Sequence, residues 1–407
     1  MIKSMNFLIL ILFLFIPFIL LPADEQGTEV VKGLLYLDEA PVVIKISHGN
    51  IAEIQRQVDD TRIPQMYVAP GLIDIQINGY MGVDFTGPEL TLQGIRYAVK
   101  ALWKAGVTTI LPTVITSDHE RLMKNFKILA EALTDPEIEN SIPGFHLEGP
   151  YISPVKGFRG AHLEKYIRLP DWQEFMGYQN AAKGNIKLIT VAPEIEGAIP
   201  FIRQCVDNGV IVSLGHHNGS AEIISKAADA GATMSTHLGN GCANMINRHH
   251  NPIWPQLADE RLIPSLIVDG HHLTKEEVKS FYSIKGPDRT VLISDALDLA
   301  GLPPGEYVRG ERKVVLTPDV IKFPAENVLA GAASPISACV GNMIRFSGCS
   351  LNEAIRMAST NPAKIFGLDM IGEISEGKRA DLILFTLEND KVVIHKTIIA
   401  GEVVYAR

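Results

Sequence analysis

Val210-Ile-Val-Ser-Leu-Gly-His216-His217-Asn-Gly-Ser220, then a helix-patterned segment, then Ala232-Thr-Met-Ser-Thr-His237-Leu-Gly-Asn240: this stretch decides the fold. Each half is a short β-branched apolar run that ends in histidine. The segment between them, 220–230, has helical spacing and closes on Gly231. That is a strand–helix–strand unit with a histidine at the carboxyl end of each parallel strand. In parallel α/β folds the ligand crevice lies at those ends. One histidine in such a place is more often a satisfied turn or core residue than a ligand. Two, in consecutive units at matching positions, point to a metal site, because parallel neighbours bring their ends together.

Working outward, the same alternation occurs eight times. The patterns predict strands over 71–77, 107–112, 144–147, 186–191, 210–214, 233–236, 265–268 and 291–294. Amphipathic helices are predicted over 90–105, 119–133, 171–183 and 274–284. A doubly wound sheet shares this alternation. The count of eight and a polar residue at nearly every strand end favour an α/β fold of the (β/α)8 barrel type, expected over 70–377. The flanks differ, with short strands and turns but no helical period over 30–68 and again from 380 onward. Chain termini of compact folds often lie close together, so 24–69 and 378–407 are expected to build one small β-sandwich.

At 407 residues the chain can bury a large core. A net charge of −9 with mixed signs and no basic stripe excludes nucleic acid as a partner. Cys205, Cys242, Cys339 and Cys349 are scattered without a C-x-x-C, which argues against a disulfide framework and a cysteine zinc site. Lys3, the apolar run 7–21 and Ala23 ahead of Asp24-Glu25 read as an export signal over 1–23. The protein is then periplasmic or secreted. It is membrane-anchored only if that segment is uncleaved, and cytoplasmic if the segment is not a signal.

The strand ends carry the chemistry. They offer Gln76 and Asn78, then Glu148, His216 and His237, then Asp269-Gly-His271-His272, and finally Asp295. One carboxylate and two imidazoles suit a catalytic divalent cation with an open position, Zn²⁺ first and Fe²⁺ second. Such a cation lowers the pKa of bound water to roughly 7 and polarises a carbonyl. Asp295 is the candidate general base and acid, and His272 is placed to polarise the carbonyl from the other side. Gln76 and Asn78, neutral amides, read as hydrogen-bonders rather than ligands. His217 and His271 read as structural. Glu148 and Asp295 also have plainer readings, as a paired or capping acid.

Pro70-Gly-Leu-Ile-Asp-Ile-Gln-Ile-Asn-Gly79, Gly106-Val-Thr-Thr-Ile-Leu-Pro-Thr113, His146-Leu-Glu-Gly-Pro150, Ala192-Pro-Glu194, Gly215-His216, Thr236-His-Leu-Gly-Asn240, Asp269-Gly-His-His272 and Ser294-Asp-Ala296 run in this order. Together with Asn361-Pro-Ala363 and Gly377-Lys-Arg-Ala-Asp381, they make residues 30–407 closely similar to N-acetylglucosamine-6-phosphate deacetylases of the amidohydrolase superfamily. The resemblance implies a metal-dependent sugar N-deacetylase on a distorted TIM barrel with a split β-sandwich, usually a homodimer, acting on a small amino-sugar substrate. By position it makes Glu148, His216 and His237 the metal ligands, Asp295 the acid/base and His272 the carbonyl-polarising group. His162 matches a substrate-contacting histidine. Gln76-x-Asn78 matches the variant that holds one metal instead of two.

Two departures matter. Relatives bind the sugar phosphate with an Asn-Ala pair and an arginine before a proline turn. Here Asn240-Gly241 keeps the first part, but His250 stands at the arginine's place, with Arg248 two residues early. An imidazole is a poor substitute for a bidentate guanidinium on phosphate. The second departure is Leu329-Ala-Gly-Ala-Ala-Ser334, where relatives have a Gly-Ser pair. The expected substrate is therefore an N-acetylhexosamine, either the 6-phosphate or an unphosphorylated relative. Competing readings are an amidohydrolase of N-acyl amino acids, dipeptides or cyclic amides, and a non-catalytic sugar-binding barrel.

Overall fold

The computed structural model describes residues 28–57 and 62–407, and the expected export segment over 1–23 lies outside the described residues. Eight strands stand side by side in chain order: Leu72–Ile77, Val107–Ile115, Phe145–Glu148, Ile186–Val191, Ile211–Leu214, Met234–Ser235, Ile263–Ile267 and Val291–Ile293. Every neighbouring pair is parallel. The Asp295 amide donates to the Gln76 carbonyl and the Asn78 amide to that of Ala296, both at 2.9 Å. Strand eight thus returns to strand one, and each expected strand falls on an observed one.

The strands read as near-continuous apolar runs because both faces are covered. Ile73, Leu111, Leu188, Met234, Ile267 and Val291 pack together inside the barrel. Their alternates, among them Leu72, Ile189, Leu266 and Leu292, join the core under the helices. Helices Leu92–Trp103, His119–Ala132 and Trp172–Ala181 are shorter than their sequence patterns, and Lys275–Lys285 is shifted by one residue. Their starts are set locally, since Thr91, Asp118, Asp171 and Thr274 act as N-caps, each accepting the backbone N–H three residues on. Ser220 caps Ala221–Asp229, the helix between the two histidine-bearing strands, in the same way.

The β segments of the two chain ends meet in one seven-stranded sheet. Its order is Glu402–Ala406, Lys391–Ile399, Leu382–Glu388, Tyr67–Pro70, Thr28–Leu35, Pro41–Ser47, Asn50–Arg56. The Ile51 amide donates to Lys378 O and the Gly377 amide to Ile51 O, each at 2.8 Å, so the sheet curls until its far edge reaches the C-terminal segment.

A second sheet had no counterpart in the sequence reading. Gly305–Arg309, Arg312–Leu316, Val320–Phe323 and Val328–Ala332 form four antiparallel strands inserted after barrel strand eight. Val314, Leu316, Ile321 and Phe323 pack with Leu297 as its own small core. The Ala332 amide donates to the Asp295 carbonyl at 2.9 Å, which ties this sheet to the barrel mouth. Among the described residues no helix is long and apolar enough to cross a membrane.

Candidate metal centre and active site

His216, His237 and Asp295 each follow within two residues of the end of a barrel strand, and each sits at left-handed φ: 51°, 31° and 50°. Non-glycine residues held there are strained and persist where the surroundings over-determine them. Glycines do part of that work. A Cβ on Gly241 would lie 2.9 Å from His216 Nδ1 and 3.0 Å from His237 Cε1, and one on Gly160 would lie 2.9 Å from His216 Cε1. Both rings are thus wedged by backbone that no larger residue can match.

Glu148 Oε1 lies 3.2 Å from His216 Nε2 and 3.0 Å from His237 Nε2, and the two nitrogens are 3.0 Å apart. Ligand atoms about 2.0–2.2 Å from a tetrahedral zinc stand roughly 3.3 Å from one another, so this triangle has close to the span of one coordination face. His216 Nδ1 donates to the Phe158 carbonyl at 3.0 Å, which leaves a lone pair on Nε2 facing the triangle. The residues fit a divalent cation. All three side chains are buried. Burial alone would raise Glu148, but the His216 and His237 rings packed on its carboxylate hold it well below the usual carboxylate range. Burial pulls His237 down while Glu148 more than offsets it, so its pKa is raised.

The other candidates gather around this triangle. Gln76 Nε2 donates to Glu148 Oε1 at 3.0 Å and reaches Asp295 Oδ1 at 3.4 Å, and Asn78 Nδ2 donates to Asp295 Oδ1 at 2.7 Å. Burial, then the charge of Glu148, pushes Asp295 up. His272 Nδ1 donates to Asp269 Oδ2 at 2.8 Å. Burial would raise Asp269, but hydrogen bonds from His272 keep it low. His162 is hydrogen-bonded to Thr116 Oγ1 at 2.8 Å and stacks edge-on against His216 at 4.3 Å between ring centroids. Its ligand atom, with those of Glu148 and His216, falls within 4.8 Å. His237 offers an alternative third donor, its Nε2 3.0 Å from the shared carboxylate oxygen. Burial, with His216 beside it, lowers the pKa of His162 to about 3.

Asn78, Glu148, His162, His216, His237, His272 and Asp295 open into one cavity of about 510 Å³, lined also by Asn240 and Gly241, whereas Gln76 does not line it. Arg248 and His250 do not line it and stand exposed on the following loop. Among the lining residues that escaped the sequence reading, three carry acidic, basic or imidazole side chains. His271, read as structural, faces the cavity, as do Glu277 and Arg309. Arg309 comes from the inserted sheet, where Nη2 meets Asp84 Oδ2 at 2.7 Å and Nε meets Asp298 Oδ1 at 2.8 Å.

Beneath the site, Asp74 is wholly buried. Its Oδ1 accepts the Ser294 and Gln76 amides at 3.1 and 3.3 Å, and its Oδ2 has no partner. Burial pushes its pKa up to about 7. The native state holds this proton after the unfolded chain has released it. The group's contribution to stability is therefore complete below the unfolded value of about 3.9 and declines as pH rises through about 7. Asp74→Asn carries no such dependence. Urea unfolding at pH 4 and pH 8 is expected to show the variant gaining on wild type by about 4 kcal/mol over that interval. A difference independent of pH would refute this.

A closed parallel barrel with carboxylate and imidazole donors at its strand ends defines a metal-dependent hydrolase of the amidohydrolase type, and residues 67–404 match the amidohydrolase family profile. The chain is 32% identical to the mouse N-acetylglucosamine-6-phosphate deacetylase over 351 residues, 83% of each chain. It is 32% identical to the N-acetylgalactosamine-6-phosphate deacetylase of a Shewanella species over 84% of each. Among solved structures, an aspartate-to-alanine mutant of the Mycobacterium smegmatis N-acetyl-D-glucosamine-6-phosphate deacetylase in complex with N-acetyl-D-glucosamine-6-phosphate superposes with a TM-score of 0.84. That match has 26% identity and covers 93% of this chain and 99% of that one. The chain belongs to the N-acetylglucosamine-6-phosphate deacetylase family.

Proposed function

We propose that this protein hydrolyses the N-acetyl amide of an N-acetylhexosamine, releasing acetate and the amino sugar, with one Zn²⁺ held by Glu148, His216 and His237. The observation that carries this reading is the triangle of three donor atoms 3.0–3.2 Å apart, with Asp295 one amide bridge away through Gln76. A cation there supplies Lewis-acid polarisation and an activated water. The rest falls to the chain. Asp295, oriented by Asn78, takes the proton of the attacking water and returns it to the leaving nitrogen. Asp269 fixes the His272 ring through Nδ1 and so orients the group that polarises the amide carbonyl. His162, Asn240 and Gly241 line the wall against which the sugar rests. We also assign to the protein the export segment at 1–23 and the homodimer that the family resemblance implies.

The test is metal removal. Protein as purified is expected to carry about one zinc per chain. Dialysis against a chelator is expected to abolish acetate release from N-acetylated amino sugars, and one equivalent of Zn²⁺ to restore it. Full activity without metal would sink the proposal.

A further inference from the structure

We infer that His146 is a positioning residue for the metal centre. It is the hub of a hydrogen-bonded chain inside the barrel that sets the strands bearing Glu148, His216 and His237 relative to one another. This inference rests on the reading of those three residues as ligands. Side chains alternate along a strand, so residues two apart face the same way. Leu111, Leu188 and Met234 belong to the apolar layer inside the barrel. Two residues further along, Thr113, Thr190 and Thr236 are also buried, together with His146 on strand three and Ser213 on strand five. A polar layer thus follows the apolar one, with a member from each of strands two to six. The ligands come next, since Glu148 lies two residues beyond His146 and His237 directly follows Thr236.

The contacts within this layer are continuous. Thr236 Oγ1 donates to Ser213 Oγ at 2.6 Å, so the Thr190 hydroxyl, 2.8 Å from Thr236 Oγ1, gives its proton to Thr236. Thr190 Oγ1 then accepts from His146 Nε2 at 2.8 Å, which leaves Nδ1 as an acceptor. Thr113 Oγ1 accepts the Ile77 amide at 3.0 Å, and its own proton lies between His146 Nδ1 and the Leu111 carbonyl, each 3.3 Å away. A neutral imidazole accepts on one side and donates on the other. His146 therefore joins the hydroxyl of strand two to those of strands four, six and five. Stability alone does not call for such a layer, because buried polar partners exchanged together for apolar groups of like shape can be nearly neutral. What a fully paired network adds is a single arrangement. Here that arrangement fixes the strand ends from which the three donor atoms converge at 3.0–3.2 Å.

The experiment titrates Zn²⁺ into the apo-protein against a chromophoric chelator and records the visible spectrum of the Co²⁺-loaded form. Thr190→Val keeps the shape of the side chain but removes the hydroxyl that links His146 to Thr236. Groups behind a metal ligand typically contribute about 10–100-fold to metal affinity, so the zinc Kd of Thr190→Val is expected to rise by about that factor. Its cobalt bands are expected to shift, and Thr190→Ser, which returns the hydroxyl, to restore both. The comparison is made where circular dichroism of variant and wild type coincide, so that lost fold is not counted as lost affinity. A folded Thr190→Val with wild-type zinc affinity and cobalt spectrum overturns the inference and leaves the deacetylase reading intact. Wild-type protein that binds neither metal overturns both. If Thr190→Val does not fold, Ser213→Ala cuts the chain at its far end, with a raised Kd and shifted bands in support and unchanged values against.

Discussion

An Asp295→Asn protein is expected to keep its metal and lose its activity, with kcat falling by about 10²–10⁴-fold. Asparagine preserves the shape of the side chain and the contact with Asn78 Nδ2, 2.7 Å away in the wild type. It cannot accept a proton from water at neutral pH. Because the proposed ligands are Glu148, His216 and His237, metal content measured on the purified variant is expected to match wild type. That separation is what makes the result informative. Acetate release undiminished in the variant would remove Asp295 from the chemistry, and a parallel loss of metal would make it a ligand.

Glu148→Gln should fail in the opposite order, losing the metal first and the activity as a consequence. Glu148 Oε1 is the point on which both imidazole nitrogens converge, and it also accepts from Gln76 Nε2. Glutamine removes the negative charge that offsets the cation and turns one of two acceptor atoms into a donor. Metal per chain is expected to fall to less than about a tenth of wild type, with kcat/KM down at least ~1,000-fold. High added zinc should recover part of the second loss. A Glu148→Gln protein retaining both metal and rate would mean that the carboxylate is structural and that His162, whose ligand atom lies within the same 4.8 Å group, completes the site.

The barrel and the polar residues at its strand ends were legible for a simple reason. Barrel strands are covered on both sides, so their sequences are apolar runs that break off at a polar residue, and Glu148, His216, His237 and Asp295 stand at those breaks. The hydrogen-bonding roles expected of Gln76 and Asn78 likewise followed from residue type. The inserted sheet was not legible. Its first strand reads Gly-Glu-Tyr-Val-Arg with most side chains exposed or half-exposed, so no apolar face announces it. Arg309 escaped for the same reason, and one of its partners, Asp84, lies far upstream in the two-residue strand Val83–Asp84 before the first helix. His271 was read as structural, whereas the turn after strand seven lets both it and His272 reach the cavity wall.

The seven-stranded sheet has a consequence for how the chain is made. Val68 pairs with Leu384, roughly 300 residues downstream, and the strand Thr28–Leu35 lies against Tyr67–Pro70. The first strands to leave the ribosome therefore wait for the last ones, and closing so distant a pairing is slow. Until synthesis ends, the early hairpin keeps an open edge that another nascent chain can join. The barrel in between can assemble sooner, which leaves the terminal sheet as the late, completion-dependent step of maturation.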